Sequence, residues 1–200
     1  MDASLDSAPI LVLILIADFA ITSLHSYQEW KGVGAPLWRN FGAIVGLDVP
    51  DRLGFLFFTA LLTLTLFAIG CVGITGLFGP WLTAAALGAL IGARLSDTIV
   101  SHLLLYTVGY RPNPGLSSTP LYVVEAVLIG WVFSTRLAAQ PGPAILGVVV
   151  GVLMFVAVLP TLRLARRVMP AWTRDPWSSW QPIPSWALTN PADGDVRRAG

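Results

Sequence analysis

Two histidines and the carboxylates spaced around them are the residues of this chain whose types and spacing could do chemistry. Asp18, Thr22, His25 and Glu29 recur at steps of four, three and four. At about 100° per helical residue they fall within about 60° of one another, a narrow polar stripe among Leu, Ile, Val and Ala. Arg94, Asp97, Thr98, Ser101 and His102 form a second stripe, spread by the same arithmetic over about 140°. Glu125 adds a carboxylate further on. A carboxylate one helical turn from an imidazole fixes the ring's orientation, and imidazole titrates near neutral pH, so His25 and Glu29 suit general acid/base work. His102 and Glu125 complete such a set. His25, Glu29 and His102 are also donors that a divalent metal accepts, although nothing in the sequence requires one.

The elements that must carry these residues are apolar. The chain has 200 residues, of which 55% are hydrophobic and only 12% charged, with a mean hydropathy of +0.72. A soluble domain carries about 25% charged residues, so a water-soluble fold is excluded as the expectation. Five apolar blocks span about 8–27, 53–78, 81–107, 121–139 and 144–162, the fourth reaching residue 139 if Arg136 snorkels to the interface. Lipid offers no partner for backbone N–H and C=O groups, so each block is expected to be a helix. The fold class is therefore all-α, an integral membrane bundle of five transmembrane helices over residues 1–168. An irregular cytoplasmic tail, 169–200, follows, with five prolines and four tryptophans.

Basic residues set the orientation. Lys31, Arg39, Arg52, Arg111 and the six arginines after the last block fall on one side, and Arg136 alone on the other. By the positive-inside rule the N-terminus is outside and the C-terminus cytoplasmic. The N-terminal segment has two Asp and no basic residue, so a cleaved signal peptide is not expected. A formal net charge of +1 gives no hint of a nucleic-acid partner, and the single Cys71 allows neither a disulfide framework nor a cysteine metal site. No phosphate-binding loop, dinucleotide fingerprint, HExxH or nucleophile elbow is present.

An ionisable group at the bilayer centre costs about 3 kcal/mol, so each needs a partner, a cavity or a task. At about 1.5 Å per residue, His25 and His102 lie about 10 and 12 Å to the cytoplasmic side of the midplane, with Glu29 and Glu125 in the same half and Asp18 and Arg94 at mid-depth. The expected arrangement is an ion pair among Arg94, Asp97 and Asp18 beneath a pocket of His25, Glu29, His102 and Glu125. The spacings Gly88/Gly92 and Gly147/Gly151 predict close helix packing on the third and fifth blocks.

The stretch His25-Ser-Tyr-Gln-Glu29-Trp30 resembles the motif of the HXXEE family of small polytopic bacterial membrane proteins, with Gln28 in place of the first Glu. In that family a later histidine is followed by Pro-Gly and a hydroxyl residue opening the next helix, which here reads His102, Pro114-Gly115-Leu116, Ser118 and Thr119. The resemblance implies a helical bundle of the bacterial inner membrane, an enzyme by its polar motif but with no established reaction. His25, Glu29 and Trp30 also satisfy the His-x-x-x-Glu-aromatic pattern of the emopamil-binding, sterol-isomerase-like proteins. That resemblance implies a proton shift on an apolar substrate, with Trp131 or Tyr106 facing a cationic intermediate. The rival from another class is a transporter or non-catalytic partner subunit whose polar stripes hold helices together; no internal repeat favours transport. The leading expectation is a membrane-embedded enzyme acting on a lipid-like or small apolar substrate. In it His25, Glu29, His102 and Glu125 are catalytic, and Asp18, Gln28, Arg94, Asp97 and Ser101 support them.

Overall fold

A computed structural model describes residues 8–32, 52–107 and 113–168. The described residues are almost entirely helical, with no strand among them. Arg39, Arg111 and the Pro/Trp-rich tail lie outside them.

Helix α1 runs over Ala8–Lys31 and α2 over Arg52–Thr75. Gly76 and Gly79, at φ of 70° and 85°, turn the chain where a side chain would be strained, and Pro80 supplies a pre-set φ for the first turn of α3, Pro80–Ser96. A π-helical segment, Asp97–Leu104, and one further α turn, Leu105–Thr107, continue α3 without a break. A 3₁₀ turn, Leu116–Ser118, opens α4, Thr119–Val132. The fourth apolar block is thus two helices: the chain unwinds at Phe133, and α5, Ser134–Ala139, follows before α6, Pro141–Val168. Arg136 on α5 donates to the carbonyl of Ile74 at 3.0 Å, satisfying an end carbonyl of α2 where the helix dipole favours a cation.

Glycines set how closely α3 and α6 approach. A Cβ on Gly88 or Gly92 would fall on the carbonyl oxygens of Ala144 and Val148, and one on Gly147 or Gly151 on those of Ala85 and Ala89. The two predicted small-residue pairs therefore face each other, backbone against backbone. Gly92→Val should destabilise the fold by about 1–3 kcal/mol, the usual range for overpacking. Gly142, whose Cβ would meet nothing within 4 Å, supplies the control as Gly142→Ala. Thermal unfolding of the two variants in detergent checks this. Ser26 and Thr63, with hydroxyls 2.8 Å apart, and the edge-on rings of Phe19 and Phe67 join α1 to α2.

The distribution of polarity is inverted relative to a soluble protein. Among the described residues 16 polar or charged residues are buried against 11 hydrophobic ones, while Leu13, Ile16, Leu61, Leu64, Val127, Ile145 and Leu153 each expose more than half of their surface. A small apolar cluster of Leu66, Ile74, Leu87, Leu90, Ile129 and Phe133 fills the half of the bundle nearest the Gly76–Gly79 turn. The buried polar residues named in the sequence stripes occupy the rest. Among the described residues two helices, Pro9–Lys31 and Pro80–Thr107, are long and apolar enough to cross a membrane; Thr59–Thr75, Leu116–Val132 and Pro141–Met154 are shorter apolar helical stretches.

Candidate functional site

The polar stripe of α1 needs only a regular helix: Asp18, Thr22, His25 and Glu29 all point inward and are buried. The opposing residues depend on a change of helix type. In an α-helix Asp97 and His102, five apart, diverge by about 140°. The π-helical segment hydrogen-bonds from i to i+5, so residues five apart come to one face, and Asp97 and His102 turn together toward α1.

Four side chains then converge. His25 Nε2 lies 3.2 Å from His102 Nε2, 3.0 Å from Asp97 Oδ2 and 3.6 Å from Glu29 Oε1. His102 Nε2 lies 3.7 Å from the same Asp97 oxygen and 3.8 Å from the same Glu29 oxygen. One ligand-type atom from each of the four is within 4.8 Å of every other. The two rings meet edge to face, with centroids 4.8 Å apart.

The remaining nitrogens are held from outside the cluster. Ser118 donates its one hydroxyl proton to the carbonyl of Gly115 at 2.8 Å, so toward His25 Nδ1, also 2.8 Å away, it accepts. Asn113 donates its amide N–H groups to the carbonyls of Ser101 and His102 at 3.2 and 3.0 Å, which leaves its Oδ1 to accept from His102 Nδ1 at 2.7 Å. Both rings therefore carry a proton on Nδ1, and in the neutral form both present an Nε2 lone pair to the centre. Ser101 donates to Asp97 Oδ1 at 2.7 Å and so fixes which carboxylate oxygen faces the histidines.

A second cluster lies one layer deeper. Arg94 donates to Asp18 Oδ1 at 2.6 Å and to the Thr22 hydroxyl, and its Nε is 3.0 Å from Glu125 Oε2. The Thr22 hydroxyl in turn donates to the Asp18 carbonyl at 2.7 Å. Tyr122 connects the layers: the Arg94 guanidinium carbon lies 4.3 Å from its ring centroid, and the His25 ring 4.5 Å away. Glu125 thus belongs with Arg94 rather than with the histidines, and Asp97 with the histidines rather than with Arg94. Gln28 faces outward and accepts from Ser117 at 3.1 Å, apart from the cluster. Trp131 is exposed, and the aromatic ring that packs on His25 is Tyr122. Asn113 and Tyr122 were not singled out from the sequence. An Asn just before Pro-Gly, and a Tyr one turn before Glu125 on the same face, were the signals available.

Two imidazole nitrogens and two carboxylate oxygens aimed at one buried point can pass a proton among themselves or share a cation. Comparison of the chain with protein-family models, with curated proteins and with solved structures finds no match to any of them.

Proposed function

We propose that this chain is a five-span, HXXEE-like protein of the bacterial inner membrane, with its N-terminus outside, and that its His/Glu/Asp cluster is a membrane-embedded catalytic site. The site acts by acid/base or metal-assisted chemistry on a lipid-like or small apolar substrate. The observation that carries this reading is the convergence of His25, Glu29, Asp97 and His102 inside a bundle whose outer surface is apolar. A polar interior wrapped in exposed Leu, Ile and Val suits a lipid surrounding, because water would penalise that surface and lipid would penalise those polar groups anywhere but inside. Two imidazole nitrogens, each within 3.8 Å of both carboxylates, form a set suited to passing a proton or holding a cation.

Lipid extracts of cells producing the wild-type chain, His25→Ala or His102→Ala test the proposal. Loss of acid/base catalysis typically costs about 10²–10⁴ in rate, so either variant should deplete one product and accumulate its precursor. If both variants reach wild-type levels in the membrane fraction and every profile is unchanged, the enzymatic reading fails and a partner subunit remains.

A further inference from the structure

We infer that the cluster is a resident divalent-metal centre of the zinc class, in which His25, His102 and Asp97 are the fixed ligands and Glu29 covers a displaceable fourth position. The inference rests on the proposed function and deepens it by assigning the cofactor.

The imidazole lone pairs point at one place. Ser118 and Asn113 occupy both Nδ1 atoms as acceptors, so two Nε2 lone pairs point at each other across 3.2 Å with two carboxylate oxygens beside them. Four electron-rich atoms at that spacing repel one another unless a metal ion lies among them or protons sit on the Nε2 atoms, and the zinc content of the wild-type chain separates the two. Two neutral imidazoles and two carboxylates carry a charge that one divalent ion cancels, which matters in a buried site.

The spacing suits zinc. Zinc binds imidazole nitrogen and carboxylate oxygen at about 2.0–2.2 Å, which in a tetrahedron sets neighbouring ligand atoms about 3.3–3.6 Å apart. Five of the six separations run from 3.0 to 3.8 Å, and the sixth, between Asp97 and Glu29, falls within 4.8 Å. An octahedron of similar bonds has neighbouring ligands about 2.9 Å apart, and a hard cation of that kind prefers an all-oxygen shell.

The ligands also have partners of their own. A zinc-bound histidine characteristically donates its other N–H to a carbonyl, carboxylate or water, and a ligating carboxylate is itself hydrogen-bonded. Here an Asn amide oxygen and a Ser hydroxyl serve the two histidines, and Ser101 holds Asp97. Glu29 is the odd member, since it has the longest approaches to both histidines. Its release would open one coordination position, the requirement for a catalytic rather than a structural zinc site.

The test uses the full chain extracted in detergent, with Zn²⁺ and Co²⁺ as probes. The protein should retain one zinc per chain, and Co²⁺ should give the intense visible bands of tetrahedral coordination. His102→Ala and Asp97→Asn should abolish both. Ser118→Ala and Asn113→Ala should keep wild-type helicity and weaken Zn²⁺ binding by about 10–100-fold, the usual cost of losing an outer-shell partner. Glu29→Gln should retain zinc. Substoichiometric zinc in wild type without tetrahedral Co²⁺ bands overturns the inference, as does unchanged affinity in both outer-shell variants. These two variants keep the test decisive if His102→Ala fails to fold. Stoichiometric zinc with unaltered lipid profiles would leave the metal centre standing and remove the enzymatic reading. A His25-dependent lipid change in protein that binds no zinc would do the reverse.

Discussion

Arg94→Leu is expected to cost about 3–5 kcal/mol, a large part of the stability of a domain this size, because it removes the one cation of a buried cluster and strands two carboxylates. Arg94 and Asp18 are each 1% exposed, and Glu125 is 6%. Asp18 Oδ2 and Glu125 Oε1 have no hydrogen-bond partner among the described residues, so Arg94 is their main compensation. A Cβ on Gly70 would stand 2.9 Å from Asp18 Oδ2, which leaves little room for that side chain to move away. The Tyr122 ring would also lose the guanidinium that lies over it and with it one support of His25. The loss comes from charge rather than from shape. Adding Asp18→Asn and Glu125→Gln to Arg94→Leu should recover most of the loss, since replacing a whole buried ionic set by neutral groups is often nearly neutral. Thermal unfolding in detergent, followed by circular dichroism, reads both. Unfolding of Arg94→Leu at the wild-type temperature, or no recovery in the triple variant, counts against the account.

The parts legible in the sequence are those that obey a regular helix. Asp18, Thr22, His25 and Glu29 could be placed on one inward face because α1 is unbroken from Ala8 to Lys31. That the glycines of α3 and α6 mark close packing was legible for the same reason, whereas their meeting each other comes from the structure. Where local geometry departs from 100° per residue the arithmetic fails. It put Asp97 beside Arg94 at i+3, whereas the π turn rotates Asp97 toward the histidines. An apolar block that begins at residue 121 sets Glu125 one turn from the helix start. The 3₁₀ turn at Leu116–Ser118 and the first turn at Thr119 carry Glu125 further into the bundle, to the depth of Arg94. Asn113 reaches back to His102 from a loop, and no periodicity encodes such a contact. The π segment itself has no compositional mark in DTIVSHLL.

Gly115→Ala should leave the bundle folded and disable the cluster. Gly115 has a φ of 88°, where a side chain is strained at a cost of about 1–3 kcal/mol. Its added Cβ would stand 2.7 Å from Cε1 of His25 and 2.7 Å from Cε1 of His102, and 3.2 Å from His102 Nε2. A flexible side chain could swing away from such a contact at small cost. These two rings cannot easily do so, since each is tethered through Nδ1, one by Ser118 and the other by Asn113. Moving the loop instead is no escape, because the Gly115 carbonyl accepts from both the backbone N–H and the hydroxyl of Ser118, so the holder of His25 would move with it. One methyl group thus displaces both imidazoles or their positioning residue. The interlocked glycines of α3 and α6 do not contact Gly115, Gly92 lying about 15 Å along the helix from His102, and should keep the chain folded. Helicity should therefore match wild type while Zn²⁺ affinity falls by at least about 10–100-fold, the loss expected when ligand orientation is disturbed. Circular dichroism and Zn²⁺ titration on one preparation read the two effects separately. Wild-type affinity in Gly115→Ala would mean that the two rings are free to reorient, and the tautomer argument built on Ser118 and Asn113 would fall with it.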